Sequence, residues 1–209
     1  MNYRISFFRT AARFAVPGFC LPSRVFVCNA CMLFPKQTIL WNRIILLKLF
    51  WQEDSRLSGL IHQLKYNNKK EIGVLLGKLF GKDLTGSEFI LPIDLIIPVP
   101  LHPQKQKERG FNQAETIAHG LSEATSIPVS SGNLVRSIFN PTQTQRTKTQ
   151  RWENVKGIFD LLHPSLYAGK HILLVDDIIT TGSTLEACAH ALLKSPGIKI
   201  SVATLGEVF

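Results

Sequence analysis

His171-Ile172-Leu173-Leu174-Val175-Asp176-Asp177-Ile178-Ile179-Thr180-Thr181-Gly182-Ser183-Thr184 is the stretch whose reading decides the fold. Its apolar part, Ile172 to Val175, shows no polar alternation and suits a strand covered on both faces. Beyond the loop, Leu185, Cys188, Ala189 and Leu192 recur at the spacing of one helical face. A strand therefore ends in two carboxylates, passes through a loop of hydroxyls with one glycine, and enters a helix. At a helix amino end the backbone N–H groups lack partners and the peptide dipoles present positive charge, which makes such a loop an anion site. The paired carboxylates can accept hydrogen bonds from sugar hydroxyls. A phosphorylated sugar would satisfy both halves.

A structural reading is open for each residue taken singly. Ser183 followed by Glu186 fits a capping box, Gly182 permits a tight turn, and acidic residues near a helix start are favoured by the dipole alone. That reading leaves unexplained the combination of Asp176 and Asp177 with Thr180, Thr181, Ser183 and Thr184 around one glycine. A Walker A loop is excluded, because no G-x-x-x-x-G-K-[ST] sequence occurs in the chain.

Val175 to Thr184 resembles the phosphoribosyl pyrophosphate signature of type I phosphoribosyltransferases. Ile97-Pro98-Val99-Pro100-Leu101-His102-Pro103 and Glu108-Arg109-Gly110-Phe111-Asn112-Gln113-Ala114 are similar to the ComF family of competence-associated phosphoribosyltransferase-like proteins. Arg136 with Gln143, Arg151, Asn154, Val155, Gly157 and Phe159 extends that similarity, which runs from about Leu57 onward. The resemblance implies an α/β fold of the type I phosphoribosyltransferase kind, a mostly parallel sheet flanked by helices, with a small irregular amino-terminal module. It also implies phosphoribosyl pyrophosphate bound with Mg²⁺, and an association with DNA uptake or use.

On that resemblance each group of the donor substrate has a candidate. The 5′-phosphate falls to Thr180, Thr181, Gly182, Ser183 and Thr184, and the ribose hydroxyls to Asp176 and Asp177. The pyrophosphate falls to the turn at Pro100, Leu101 and His102, with its Mg²⁺ held largely by substrate oxygens and water. Transfer at the anomeric carbon builds negative charge on the departing pyrophosphate, so Arg109, Arg136 and Arg151 are the candidate catalytic cations. The polar stretch Phe139 to Asn154, with Gln143, Gln145, Arg146 and Lys148, resembles the hood of glutamine phosphoribosylpyrophosphate amidotransferases, a disordered surface loop being the alternative. Hypoxanthine-type relatives carry an aspartate where this chain has Thr180, which cannot act as a base at neutral pH, so purine salvage of that kind is disfavoured. The acceptor stays open, and so does a non-catalytic role as a nucleotide- or single-stranded-DNA-binding competence protein.

The net charge of +9 is unevenly placed. Residues 1–50 carry Arg4, Arg9, Arg13, Arg24, Lys36, Arg43 and Lys48 and no acidic residue, leaving 17 basic against 15 acidic for the rest of the chain. Such a segment suggests an acidic partner, nucleic acid or a membrane surface, or is simply a solvated basic face, while the family resemblance implies single-stranded DNA or competence proteins as partners. Arg43 and Lys48 interrupt the apolar run from Ile39 to Trp51, so no transmembrane span is expected. Arg9 and Arg13 interrupt any signal-peptide core, and the expected location is the cytoplasm.

Of the four cysteines, Cys188 belongs to the apolar helical face. The ComF family commonly begins with paired C-x-x-C zinc motifs, and here Cys28-Asn29-Ala30-Cys31 is one pair while Cys20-Leu21-Pro22-Ser23 has lost a ligand. Structural zinc wants four Cys or His ligands, and no histidine precedes His62. The segment reads as a relic knuckle held by packing, with a three-thiolate Zn²⁺ site of Cys20, Cys28 and Cys31 as the alternative. The division expected is a basic, degenerate knuckle-like module over residues 1–50 and a phosphoribosyltransferase-like domain over 51–209.

Periodicity predicts helices from Ser55 to about Asn67, over Ile72 to Phe80, and from Asn112 to about Ala124. Strands are predicted at Ile93 to Val99, Ile127 to Val129, Ile172 to Val175 and Ile198 to Leu205. Alternation of this kind places the ligand at the carboxyl ends of the strands.

Overall fold

The computed structural model describes residues 10–11, 14–16, 19–21, 23–28, 43–49, 55–66, 69–85, 92–136, 158–179 and 181–207, with side-chain packing for 59–64, 69–85, 92–136, 158–179 and 181–206. In chain order the strands are β1 (Thr10–Ala11), β2 (Phe14–Val16), β3 (Phe19–Leu21), β4 (Ser23–Cys28), β5 (Arg43–Leu49), β6 (Leu95–Pro98), β7 (Leu134–Arg136), β8 (Phe159–Leu161), β9 (His171–Ile179) and β10 (Lys199–Glu207). The helices are α1 (Ser55–Tyr66), α2 (Lys70–Thr85), α3 (Pro103–Arg109), α4 (Gln113–Thr125) and α5 (Ser183–Leu192).

β9 is the heart of a sheet ordered β1-β4-β5-β10-β9-β6. β10 and β6 flank it in parallel, with Ile172 opposite Ile200 and Leu174 opposite Ile97. β10 also pairs in parallel with β5, and β4 and β1 follow antiparallel, so the sheet takes in chain on both sides of residue 50. The strand expected at Ile127 to Val129 contracts to one parallel bridge between Val129 and Ile96. Pro128 has no N–H to give, and its carbonyl accepts from Ile96 N at 2.9 Å.

The unbroken apolar run in β9 is covered on both faces, as its composition requires. Ile172 and Leu174 pack with Ile97, Ile200 and Val202 under α5, whose Leu185, Cys188, Ala189 and Leu192 form the predicted stripe. Leu173 and Val175 point the other way, with Ile96, Ala203 and Leu205, against Leu76 and Phe80 of α2 and Ile117 and Leu121 of α4. The result is a three-layer α/β domain, with α2 and α4 on one face of the sheet and α5 on the other.

α2 and α4 meet almost backbone to backbone. A Cβ added at Gly77 would stand 2.2 Å from the Ile117 carbonyl oxygen, and one at Gly120 would stand 2.1 Å from that of Val74. No side chain fits at this crossing. Close packing there fixes the axis of α4, and hence the place where its amino end meets the carboxyl ends of β6 and β9.

Candidate functional site

β9 extends through Ile179, so Asp176 and Asp177 lie within the strand rather than just past it. The extension follows from β10, which keeps pairing as far as Glu207 opposite Ile179. On the other side β6 stops at Pro98 opposite Val175, and the last link there is Val99 N–H to the Val175 carbonyl at 2.8 Å. The two carboxylates therefore begin where the β6 side of the sheet ends. Asp176 lines the pocket beside α5, and the regular alternation of the strand is lost just beyond it, since Ile178 packs with the α2 and α4 cluster and Ile179 with the α5 cluster. Both are half-buried, and each takes the N–H of the following residue on its own Oδ1, at 2.8 Å for Asp177 N and 2.6 Å for Ile178 N.

An open pocket lies above this strand end. Asp176, Thr181, Gly182, Ser183 and Thr184 form its polar wall, and Ile178, Ile179 and Leu185 its apolar floor. Gly182 has φ 73°, a left-handed conformation that costs an L-residue about 1–2 kcal/mol, and it caps α5 without any side-chain hydrogen bond. Ser183 is the first helical residue, so the capping box open to Ser183 and Glu186 in the sequence does not form. Thr181 Oγ1 instead lies 3.0 Å from Ser183 Oγ and accepts Ser183 N–H at 3.5 Å, the long limit of a hydrogen bond. Thr181, Ser183 and Thr184 are all exposed. The start of α5 thus presents hydroxyls and amides to solvent beside a carboxylate.

On the neighbouring strand the chain is arranged differently. Pro100, Leu101 and His102 follow β6 and are half-buried; His102 caps α3, its Nδ1 accepting from Gln104 N at 3.2 Å, with Pro103 at the first helical position. α3 buries none of its side chains and ends at Gly110, in the left-handed conformation. Phe111 then enters the core. Asn112 caps α4 with Oδ1 on Ala114 N at 3.1 Å while its Nδ2 donates to the Val99 carbonyl at 3.0 Å, tying helix to strand. Arg109, half-buried, donates from a guanidinium nitrogen to Gln113 Oε1 at 3.0 Å.

Arg136 closes β7 and lies over the Phe159 ring of β8 at 5.5 Å. The β7–β8 pair packs on α5. Cys188 of α5, wholly buried, reports on the surroundings: burial pushes its thiol well up, the charge of Asp176 adds to that, and Arg136 opposes it. Asp176 and Arg136 therefore act on one sulfur from the same flank of the sheet. Arg109 belongs to the β6 and α4 side.

Residues 108–207 match the phosphoribosyl transferase domain family. The chain is 33% identical over 181 residues to the DNA utilization protein YhgH of Shigella flexneri, covering 84% of this chain and 75% of that protein. The chain belongs to the ComF family. Competence protein F of Haemophilus influenzae is 32% identical over 173 residues, covering 80% of this chain and 72% of its own length. Competence protein ComFC of Bacillus subtilis is 37% identical over 112 residues, covering 53% of this chain and 43% of its own.

In this ComF chain the loop residues Thr181 to Thr184 and Asp176 meet in one pocket, and Pro100 to His102 stand at the end of the adjacent strand. Thr180, Gln143, Arg151, Asn154 and Cys31 lie outside the described residues, and the side chains of Cys20 in β3 and Cys28 in β4 do as well. Among the described residues no group of three or more His, Cys, Asp or Glu side chains is arranged to hold a metal. No helix among them is long and apolar enough to cross a membrane. The parts played by Asn112 and Gln113 go beyond the motif reading, although an asparagine just before the apolar spacing of α4 is the sequence mark of a cap.

Proposed function

We propose that this ComF protein binds phosphoribosyl pyrophosphate with Mg²⁺ and acts as a pentosyltransferase of the phosphoribosyltransferase type, its acceptor still open. The observation that carries the reading is the start of α5, where Gly182 caps without a side chain and exposed Thr181, Ser183 and Thr184 ring a pocket walled by Asp176. A 5′-phosphate on these amides and hydroxyls would complete the helix end that Gly182 caps without a side chain. Asp176 and Asp177 would take the ribose hydroxyls, and the pyrophosphate would extend toward Pro100, Leu101 and His102. Arg109, Arg136 and Arg151 would offset the charge that grows on the departing group. Thr180 and the segment with Gln143 and Asn154 complete the loop and hood in this reading, and Cys20, Cys28 and Cys31 remain a relic knuckle.

The donor set suits an ion held mainly by its substrate. Asp176 and Asp177 offer hard oxygen ligands next to an anion pocket, and a bound Mg²⁺ would neutralise pyrophosphate charge. Titration calorimetry tests the reading: phosphoribosyl pyrophosphate with Mg²⁺ should give heat that is lost in Asp176→Asn with Asp177→Asn. A silent titration of the unaltered protein would sink it. Screening bases, amines and nucleic acids for consumption of phosphoribosyl pyrophosphate would then name the acceptor.

The names of the relatives, which speak of DNA utilization and competence, favour a second reading. In it the pocket is non-catalytic and the protein is a cytoplasmic binder of nucleotides or single-stranded DNA, using the basic residues before Phe50. Its mark would be an affinity for single strands that falls steeply with salt. Salt-independent binding would count against it.

A further inference from the structure

We infer that Gln113 is a positioning residue: its amide holds the guanidinium of Arg109 ready for an anion, and it is kept for that task rather than for the fold. The inference rests on the pocket reading above. Gln113 opens α4 and is 2% exposed, and its backbone is fixed by the neighbouring Asn112, which is bonded both to the helix and to Val99. From there Oε1 accepts the Arg109 guanidinium at 3.0 Å across the Gly110 turn.

The other end of the same amide is the second observation. Gln113 Nε2 is buried and has no hydrogen-bond acceptor among the described residues. A buried donor without a partner destabilises a fold, and an apolar side chain of similar length would fill the same space without that penalty. The packing of α4 therefore gains nothing from an amide here, whereas Arg109 gains an acceptor. Residues that break a local rule of stability mark function. An arginine ordered before its ligand arrives loses less rotamer freedom on binding, and its charge already stands at the carboxyl end of β6.

The inference is tested on the full-length protein with Gln113→Met, Gln113→Glu, Arg109→Gln and the double variant Arg109→Gln/Gln113→Met. Without ligand, ¹⁵N NMR of the Arg109 guanidinium should show restricted rotation in the unaltered protein and measurably faster rotation in Gln113→Met. Gln113→Glu, which keeps an acceptor, should restore the restriction. Calorimetry with phosphoribosyl pyrophosphate and Mg²⁺, and separately with inorganic pyrophosphate, should show about tenfold weaker binding in Gln113→Met, the loss of roughly one charged hydrogen bond. The double variant should bind no more weakly than Arg109→Gln alone, and the melting temperature of Gln113→Met should stay level or rise. A lower melting temperature with unchanged affinity would make Gln113 structural, and additive losses would show that it acts apart from Arg109. If the unaltered protein binds neither ligand, the pocket reading fails, and the guanidinium spectra still decide the clamp: an Arg109 that rotates freely in the unaltered protein overturns it.

Discussion

Two helices begin at the same end of one sheet, and the protein finishes them in opposite ways. α4 starts on Asn112, a buried residue whose side chain uses both ends, Oδ1 on the helix and Nδ2 on the Val99 carbonyl beyond the strand before it. α5 starts on Gly182, which has no side chain to spend, and its hydroxyl neighbours face solvent around a pocket. Both ends carry the same partial positive charge and the same surplus of amide donors. What separates architecture from binding is thus where those donors go. At α4 the cap residue's own side chain takes the Ala114 amide and the helix serves as a fixed post; at α5 the cap residue brings no side chain, and the Ser183 amide has only the long 3.5 Å contact to Thr181 Oγ1.

The contrast can be broken most severely at the post itself. Gly120→Ala puts a methyl 2.1 Å from the Val74 carbonyl oxygen and 2.9 Å from Lys78 N, both backbone atoms. The helices must separate, so unfolding in urea should reveal a loss at or above about 3 kcal/mol, the upper range of overpacking. Asn112→Ala comes next. It removes a cap and leaves the buried Val99 carbonyl without the donor Nδ2, together about 2–3 kcal/mol by the same measurement. If Asn112→Ala left stability untouched, the account of α4 as an internally finished helix would be wrong.

Gly182→Ala sharpens the other side. The left-handed backbone at φ 73° makes the methyl cost about 1–2 kcal/mol, less than the loss at Asn112, while calorimetric affinity for phosphoribosyl pyrophosphate should collapse because the loop amides shift. A Gly182→Ala protein that lost stability like the Asn112 variant yet kept its ligand would erase the distinction between the two helix starts.

That distinction was only half visible in the sequence. The apolar run of β9 and the spacing of Leu185, Cys188, Ala189 and Leu192 announced strand and helix, because burial on both faces and a 3.6-residue period leave direct traces in composition. The hydroxyl loop was legible as Thr and Ser residues around one glycine between strand and helix, and the structure gathers Thr181 to Thr184 with Asp176 around one pocket. Its cap was ambiguous, since Ser183 and Glu186 have the capping-box spacing, and only the backbone angle of Gly182 decides which residue stands outside the helix. α3 gave no periodic signal, because Pro103 to Arg109 buries no side chain and so carries no apolar stripe. β7 and β8, three residues each, are too short to show alternation and are paired across a long sequence separation. The bond between Gln113 and Arg109 depends on the turn at Gly110 and could not be read from spacing within one helix.

The mildest test uses the thiol beneath the open helix start. Cys188 is wholly buried in α5, and burial, then the charge of Asp176, push its proton affinity well above the ordinary value of 9.0, with Arg136 pulling the other way. A raised folded-state value means that the native protein keeps the proton after the unfolded chain has released it. The associated stability is therefore intact below about pH 9 and declines as pH rises from there toward the folded value. Urea unfolding between about pH 8 and pH 10.5, with Cys188→Ala as reference, should isolate that slope, and thiol-specific reagents should modify Cys188 only on unfolding. Asp176→Asn should bring the folded value down and end the decline at lower pH, whereas Arg136→Gln should raise it. If neither substitution moved the profile, Asp176 and Arg136 would not share the flank of the sheet on which the pocket opens, and the charge at the start of α5 would have to be placed anew.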